Sequence, residues 1–208
     1  MALLRRGQRA LTNINPHQAN RRYIVPNRNR EAPVRVNLYP NPTLVGGSNI
    51  LADVYATLPT SHVATLFAGN PCDATYLGAG DPAYTYTSTG NSRFSMAVNV
   101  NTATNRGVTL PPGRKYRYSA DVQAINQALA TATRLINVAA PAAGCAITLD
   151  RASVIPNGTI QRVFIDFTIP TAAANCQLRH GMGMFEAVTP VGATQQTTNL
   201  WIEDIGPI

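Results

Sequence analysis

The stretch IQRVFIDFTIP, residues 160–170, alternates without a break. Val163, Ile165, Phe167 and Ile169 fall on one side of an extended chain, and Ile160, Arg162, Phe164, Asp166 and Thr168 fall on the other. Successive side chains of a strand point to opposite faces, so this period of two commits the segment to β-structure. The pattern recurs in SRFSMAVNV (92–100), with Phe94, Met96, Val98 and Val100 on one face, and in RKYRYSADVQAI (114–125), with Tyr116, Tyr118, Ala120, Val122 and Ala124. ATRLINVAA (132–140), AITLD (146–150), CQLRH (176–180) and NLWIEDIG (199–206) are shorter runs. Turns such as PPG (111–113) and PNG (156–158) separate them at the spacing of an all-β sandwich. AINQALATATRLI (124–136) has the alanine content of a helix, but its threonines and its place between two strands favour extended chain.

Charge divides the chain at one point. The net charge is +7, yet residues 1–35 hold eight arginines (Arg5, Arg6, Arg9, Arg21, Arg22, Arg28, Arg30 and Arg35) against the single acid Glu31. Residues 36–208 hold nine basic and nine acidic residues and are neutral. The first segment has no sustained period of two or 3.6, and cannot bury enough apolar surface to fold alone. It is expected to be an extended arm ordered by docking, followed by one β-sandwich domain over 36–208. Its arginines suit two partners: phosphates of a nucleic acid, or carboxylates on neighbouring protein subunits. Interleaved Asn, Pro, Ile14, Tyr23, Ile24 and Val25 favour protein docking over nucleic acid.

Catalytic chemistry finds no assembly, so no enzyme is expected. His17 lies in the arm, His62 in the long segment 59–91, and His180 beside glycines in RHGMGMF. Glu203 and Asp204 are adjacent, so in a strand they point to opposite faces and cannot flank one bond. Cys72, Cys145 and Cys176 are widely spaced, with no zinc signature and no pairing that the sequence fixes. The N-terminus MALLRRGQRAL lacks a long apolar core, and no run approaches the roughly 18 apolar residues of a membrane span. Synthesis in the cytoplasm, with no membrane partner, is the expectation. Residues 59–91 read as an insertion forming end loops, where binding tends to sit. Within it Tyr84 and Tyr86 share a parity; they either cover the core edge or, with Tyr76, contact a ligand.

Several of these runs match one family in order. VNLYPNPTLVGG (36–47) resembles the NLxxNPSFE-type opening of the jelly-roll carbohydrate-binding modules of the type 4/9 superfamily, which also occur in minor tail proteins of tailed bacteriophages. LPPGRKYRYSADV (110–122) is similar to that family's PGKTYTFSV strand, and IQRVFIDFTIP to its TFTAP strand. CQLR (176–179) is similar to a short vrLr strand, and NLWIEDIG to the closing strand. The resemblance spans residues 36–206. It implies a jelly-roll β-sandwich of the galactose-binding-like kind, with the strand after the arm ended by Pro40 and Pro42.

The resemblance also implies a role. A structural virion protein, a minor tail or tail-tip protein, would dock by its arm onto other virion proteins and display the sandwich outward as a homo-oligomer. Tyr76, Tyr84 and Tyr86 would then be the contacts for a host cell-wall glycan. Thr43, Leu44 and Val45 stand where family members carry an acid that helps hold a structural calcium ion, so no cofactor is expected, although Asn41 and Asp204 match positions that contribute to such a site. Trp201, the one tryptophan, sits in the closing strand and is expected in the core. A capsid or capsid-decoration protein whose arm contacts nucleic acid or the shell, and a free carbohydrate-binding module, are the alternatives.

Overall fold

A computed structural model describes residues 35–52, 54–66, 72–80, 82–90, 94–102, 107–126, 136–139, 144–152, 157–182 and 191–208. The chain divides into two units, 1–35 and 36–208. Of the arm arginines only Arg35 is described, and it is exposed; Arg5, Arg6, Arg9, Arg21, Arg22, Arg28 and Arg30 lie outside the described residues, as does His17.

The described residues are all-β. The strands are Ile50–Leu51 (β1), Val54–Tyr55 (β2), Val63–Leu66 (β3), Cys72–Tyr76 (β4), Tyr84–Ser88 (β5), Phe94–Val100 (β6) and Gly107–Val108 (β7). They continue with Arg114–Ile125 (β8), Ile136–Ala139 (β9), Ala146–Arg151 (β10), Asn157–Ile169 (β11), Cys176–Met182 (β12) and Thr194–Pro207 (β13). One antiparallel sheet runs in the order β10-β11-β8-β13-β5-β4-β1-β2. The other runs β3-β6-β12-β9, with β7 paired in parallel to the end of β6. The result is a β-sandwich with one apolar core shared by both sheets.

The long alternating runs build that core. Tyr116, Tyr118, Ala120, Val122 and Ala124 of β8 are buried, as are Val163, Ile165, Phe167 and Ile169 of β11. The two strands pair along almost their full length, from Ile169↔Arg114 to Ile160↔Gln123. Opposite them stand Phe94, Met96, Val98 and Val100 of β6, Leu178 of β12, and Ile136 and Val138 of β9. Each such side chain contributes about 1.5–3 kcal/mol by leaving water, so the interior of these strands fixes their register.

In four places the structure departs from the sequence reading. Residues 59–91 are not an end-loop insertion, because they supply β3, β4 and β5, and β4 and β5 join the eight-stranded sheet. Short strands rich in Thr and Ala hide their alternation. Residues 36–40 form no strand; the Leu38 backbone amide donates to the Ile202 carbonyl of the closing strand at 2.9 Å. β6 is buried on both faces, since Ser95, Ala97 and Asn99 on its outer side are also buried. Trp201 is half-buried and outside the core, whereas Leu200 and Ile202 lie inside.

The displacement of Trp201 has a local cause. Gln195 and Thr197 point inward before a β-bulge at residues 198–201; after it, Leu200 and Ile202 do. Asn199 sits in the bulge at φ +49°, a conformation Asn tolerates better than most residues. One extra residue reverses the parity, and Trp201 passes to the outer face. For AINQALATATRLI the helix question falls largely outside the described residues; its ends lie in β8 and β9.

Candidate functional site

Of the tyrosines expected to meet a glycan, Tyr76 and Tyr84 bond to carbonyls of the loop 44–48, and Tyr86 is buried beside Tyr84. Tyr84 and Tyr86 alternate with threonines on β5 and point inward, each about 1 % exposed, which leaves no ring face for a sugar to stack on. The Tyr84 hydroxyl donates to the Ser48 carbonyl at 3.0 Å, and the half-buried Tyr76 donates to the Leu44 carbonyl at 3.2 Å. Burial pushes the Tyr84 phenol up to about 12. The rings pack in a row: Tyr76 to Tyr84 at 4.9 Å, Tyr84 to Tyr86 at 5.9 Å, and Tyr86 to Phe94 at 6.2 Å. Gly47 lies directly against the Tyr84 hydroxyl, where any Cβ would collide with it.

The same loop is knotted by Asn41. Its side-chain oxygen accepts from the Val45 amide at 3.0 Å, and its nitrogen donates to the carbonyls of Val45 and Thr60 at 3.1 and 3.0 Å. This holds buried Leu44 at φ +55°, a strained setting for a leucine. Asn37 likewise accepts from the Ile202 amide at 3.1 Å and donates to the Leu200 carbonyl at 2.9 Å. The amides of NLYPN thus tie the start of the domain to the closing strand and to the next loop. The two residues expected from the resemblance to contribute to a calcium site are engaged within the chain: Asn41 as above, and Asp204 with Arg114 at 2.8 Å and with the Gly206 amide at 2.9 Å. Among the described residues no group of three His, Cys, Asp or Glu is placed to hold a metal ion.

Two histidines far apart in sequence meet in the core. Their rings lie 5.7 Å apart, edge to face. His62 contacts the Tyr39 hydroxyl at 2.9 Å and the Thr60 carbonyl at 3.0 Å, and Tyr39 stacks on Tyr118 at 6.0 Å. Burial lowers His62 from 6.5 to about 4, partly opposed by the Thr60 carbonyl. Burial, and then His62, lower His180 well below its ordinary value, and neither of its ring nitrogens has a hydrogen-bond partner. The pair is sealed from solvent, so it shapes stability and offers no catalytic access.

The outer face of the long strands carries matched charges. Arg117 grips Asp166 through two hydrogen bonds, 2.7 and 2.8 Å, and lies 4.2 Å from the Phe164 ring centre. Arg162 reaches Asp121 at 3.1 Å, Ser119 at 2.7 Å and the Asn199 carbonyl at 2.9 Å. This face is paired within itself, in keeping with the neutral composition of 36–208.

The rims of the eight-stranded sheet are different. Its terminal strands are β2 and β10. At one rim Leu51 and Val54 are 71 % and 72 % exposed, with Tyr55 beside them; at the other Ile147 and Leu149 are over a third exposed. Edge strands present unpaired backbone groups, and proteins that stay monomeric usually blunt them with charge, proline or cover. Here apolar side chains stand at both rims. The sequence reading missed them; the signal was the pattern ILADVY (50–55), two apolar pairs around a two-residue turn. No protein-family model matches the chain, and no curated protein matches it.

Proposed function

We propose that the chain is a non-enzymatic structural protein of a tailed-bacteriophage virion, a minor tail or tail-tip component, built on a jelly-roll sandwich and assembled through its arm and its sheet rims. The observation that carries the assembly reading is the exposure of apolar side chains at both edges of the eight-stranded sheet, Leu51 and Val54 at one and Ile147 and Leu149 at the other, on an electrically neutral body. A rim bearing Leu51 and Val54 gains by pairing with a neighbouring subunit, through backbone hydrogen bonds and buried apolar area together.

The strand order supports the jelly-roll reading. In one sheet β5-β13-β8-β11 are neighbours, and β6-β12-β9 are neighbours in the other. The chain crosses between the sheets from β5 to β6, from β8 to β9 and on to β10, and from β11 to β12 and β13. Repeated crossing between two packed sheets is what a jelly roll requires, and it supports this reading. The virion assignment rests on the family resemblance of 36–206 together with this topology. Burial of Tyr84 and Tyr86 removes the ring platform on which glycan adhesion depended, so adhesion forms no part of the proposal.

Deleting residues 1–35 tests the role. The shortened chain should keep a cooperative unfolding transition and fail to enter particles made from a genome lacking the native copy. Normal incorporation of the shortened chain overturns arm docking. Loss of salt-sensitive DNA or RNA binding, with incorporation intact, moves the assignment to a shell protein whose arm meets nucleic acid.

A further inference from the structure

Resting on the rim assembly just proposed, we infer that copies of this chain join head to tail. The β2 rim of one eight-stranded sheet pairs with the β10 rim of the next, so a second copy of the chain is the partner of both rims. Strand direction permits this join. Each neighbouring pair from β10 through β11, β8, β13, β5, β4 and β1 to β2 is antiparallel. Eight strands that alternate in this way leave β2 running opposite to β10. A copy shifted sideways along the sheet, and not turned over, brings its β10 antiparallel to the first copy's β2, and the alternation continues unbroken.

The faces of the two rims agree as well. Residues directly opposite each other on paired strands share a face. Tyr55 pairs with the buried Ile50 and so stands on the core side, whereas Val54 pairs with the exposed Leu51 on the outer side. At the far rim Ile147 pairs with the buried Phe167 on the core side. Leu149 pairs with Asp166, which binds Arg117 on the outer face. Thr148 is the extra residue of the bulge between them. Setting Val54 beside Leu149 therefore also sets Tyr55 beside Ile147, and apolar meets apolar on both faces of the join. Charge does not oppose it, because residues 36–208 hold nine basic and nine acidic residues.

Symmetry separates this join from its rivals. A two-fold contact of β2 with β2, or of β10 with β10, covers one rim and leaves the apolar side chains of the other in water. One head-to-tail contact, repeated from copy to copy, covers both.

Mixing two blocked full-length chains tests the join. Leu51→Lys with Val54→Lys blocks the β2 rim, and Ile147→Lys with Leu149→Lys blocks the β10 rim. In sedimentation velocity the native chain should form oligomers that grow with concentration, and each blocked chain alone should stay monomeric. Their equimolar mixture should give a dimer and nothing larger, since it retains one intact β2 rim and one intact β10 rim per pair. A second reading does not depend on the lysines: Val54→Cys and Leu149→Cys chains, mixed and mildly oxidised, should form a disulfide dimer that neither forms alone. Three results overturn the head-to-tail join: a blocked chain that still associates, a mixture that stays monomeric where the native chain associates, or a cross-link within one cysteine variant alone. A native chain that is monomeric at every concentration removes rim assembly altogether.

Discussion

Acidification should weaken this domain well above the range where carboxylates titrate. In the native state His62 stays neutral until the pH reaches about 4, because burial penalises its charge. In the unfolded chain the same imidazole takes up a proton below 6.5. Between those limits the unfolded state binds more protons, so stability is complete above 6.5 and falls as pH drops towards 4. At about pH 4.5 the loss from His62 alone is about 2.5 kcal/mol, reckoned at 1.36 kcal/mol per unit. His180 adds to it in the same direction. Asp204 is held below its ordinary 3.8 by the hydrogen bond from Arg114, so its contribution is lost only at lower pH. Urea unfolding at about pH 7 and about pH 4.5 reads the difference directly. His62→Gln, less stable at neutral pH, should lose a smaller increment on acidification. A stability that stays flat over this range, or a His62→Gln chain with the full slope, would refute the reasoning.

Three further outcomes follow from the geometry. Gly47→Ala should cost about 2 kcal/mol by driving a methyl into the Tyr84 hydroxyl, and Tyr84→Phe about 1 kcal/mol by losing the bond to Ser48; the double variant should cost less than their sum, as chemical denaturation will show. Asp166→Asn should cost about 1–2 kcal/mol, since Arg117 loses its bidentate partner on a face where Asp166 is only 11 % exposed. Leu51→Lys with Val54→Lys should abolish self-association in sedimentation velocity while leaving Tm within about 1 °C, because neither residue is buried in the single chain; unchanged association would remove the rim from the account.

Long amphipathic strands were legible because burial on one face dictates them. The inward faces of β8 and β11 match the alternation of RKYRYSADVQAI and IQRVFIDFTIP residue by residue. The segment 59–91 was opaque for the opposite reason. CDATY and YTYTS carry little aliphatic bulk, and their tyrosines bury against partners outside their own strands: Ser48 for Tyr84, and Phe94 of the opposed sheet for Tyr86. Parity did show that Tyr84 and Tyr86 share a face, yet not which face was inward. The Trp201 displacement depends on one bulge residue, Asn199, and a period of two carries no warning of such a shift. The meeting of His62 and His180 is a product of topology alone. Strand order brings them together, and no local spacing announces them.

Gold-labelled antibody against residues 36–208, applied to purified tailed particles and viewed by electron microscopy, tests the central claim most directly. The account predicts label clustered at the tail or its tip, several copies per particle, and lost when the arm is deleted. Label confined to the soluble fraction of the lysate, with bare particles, would contradict it.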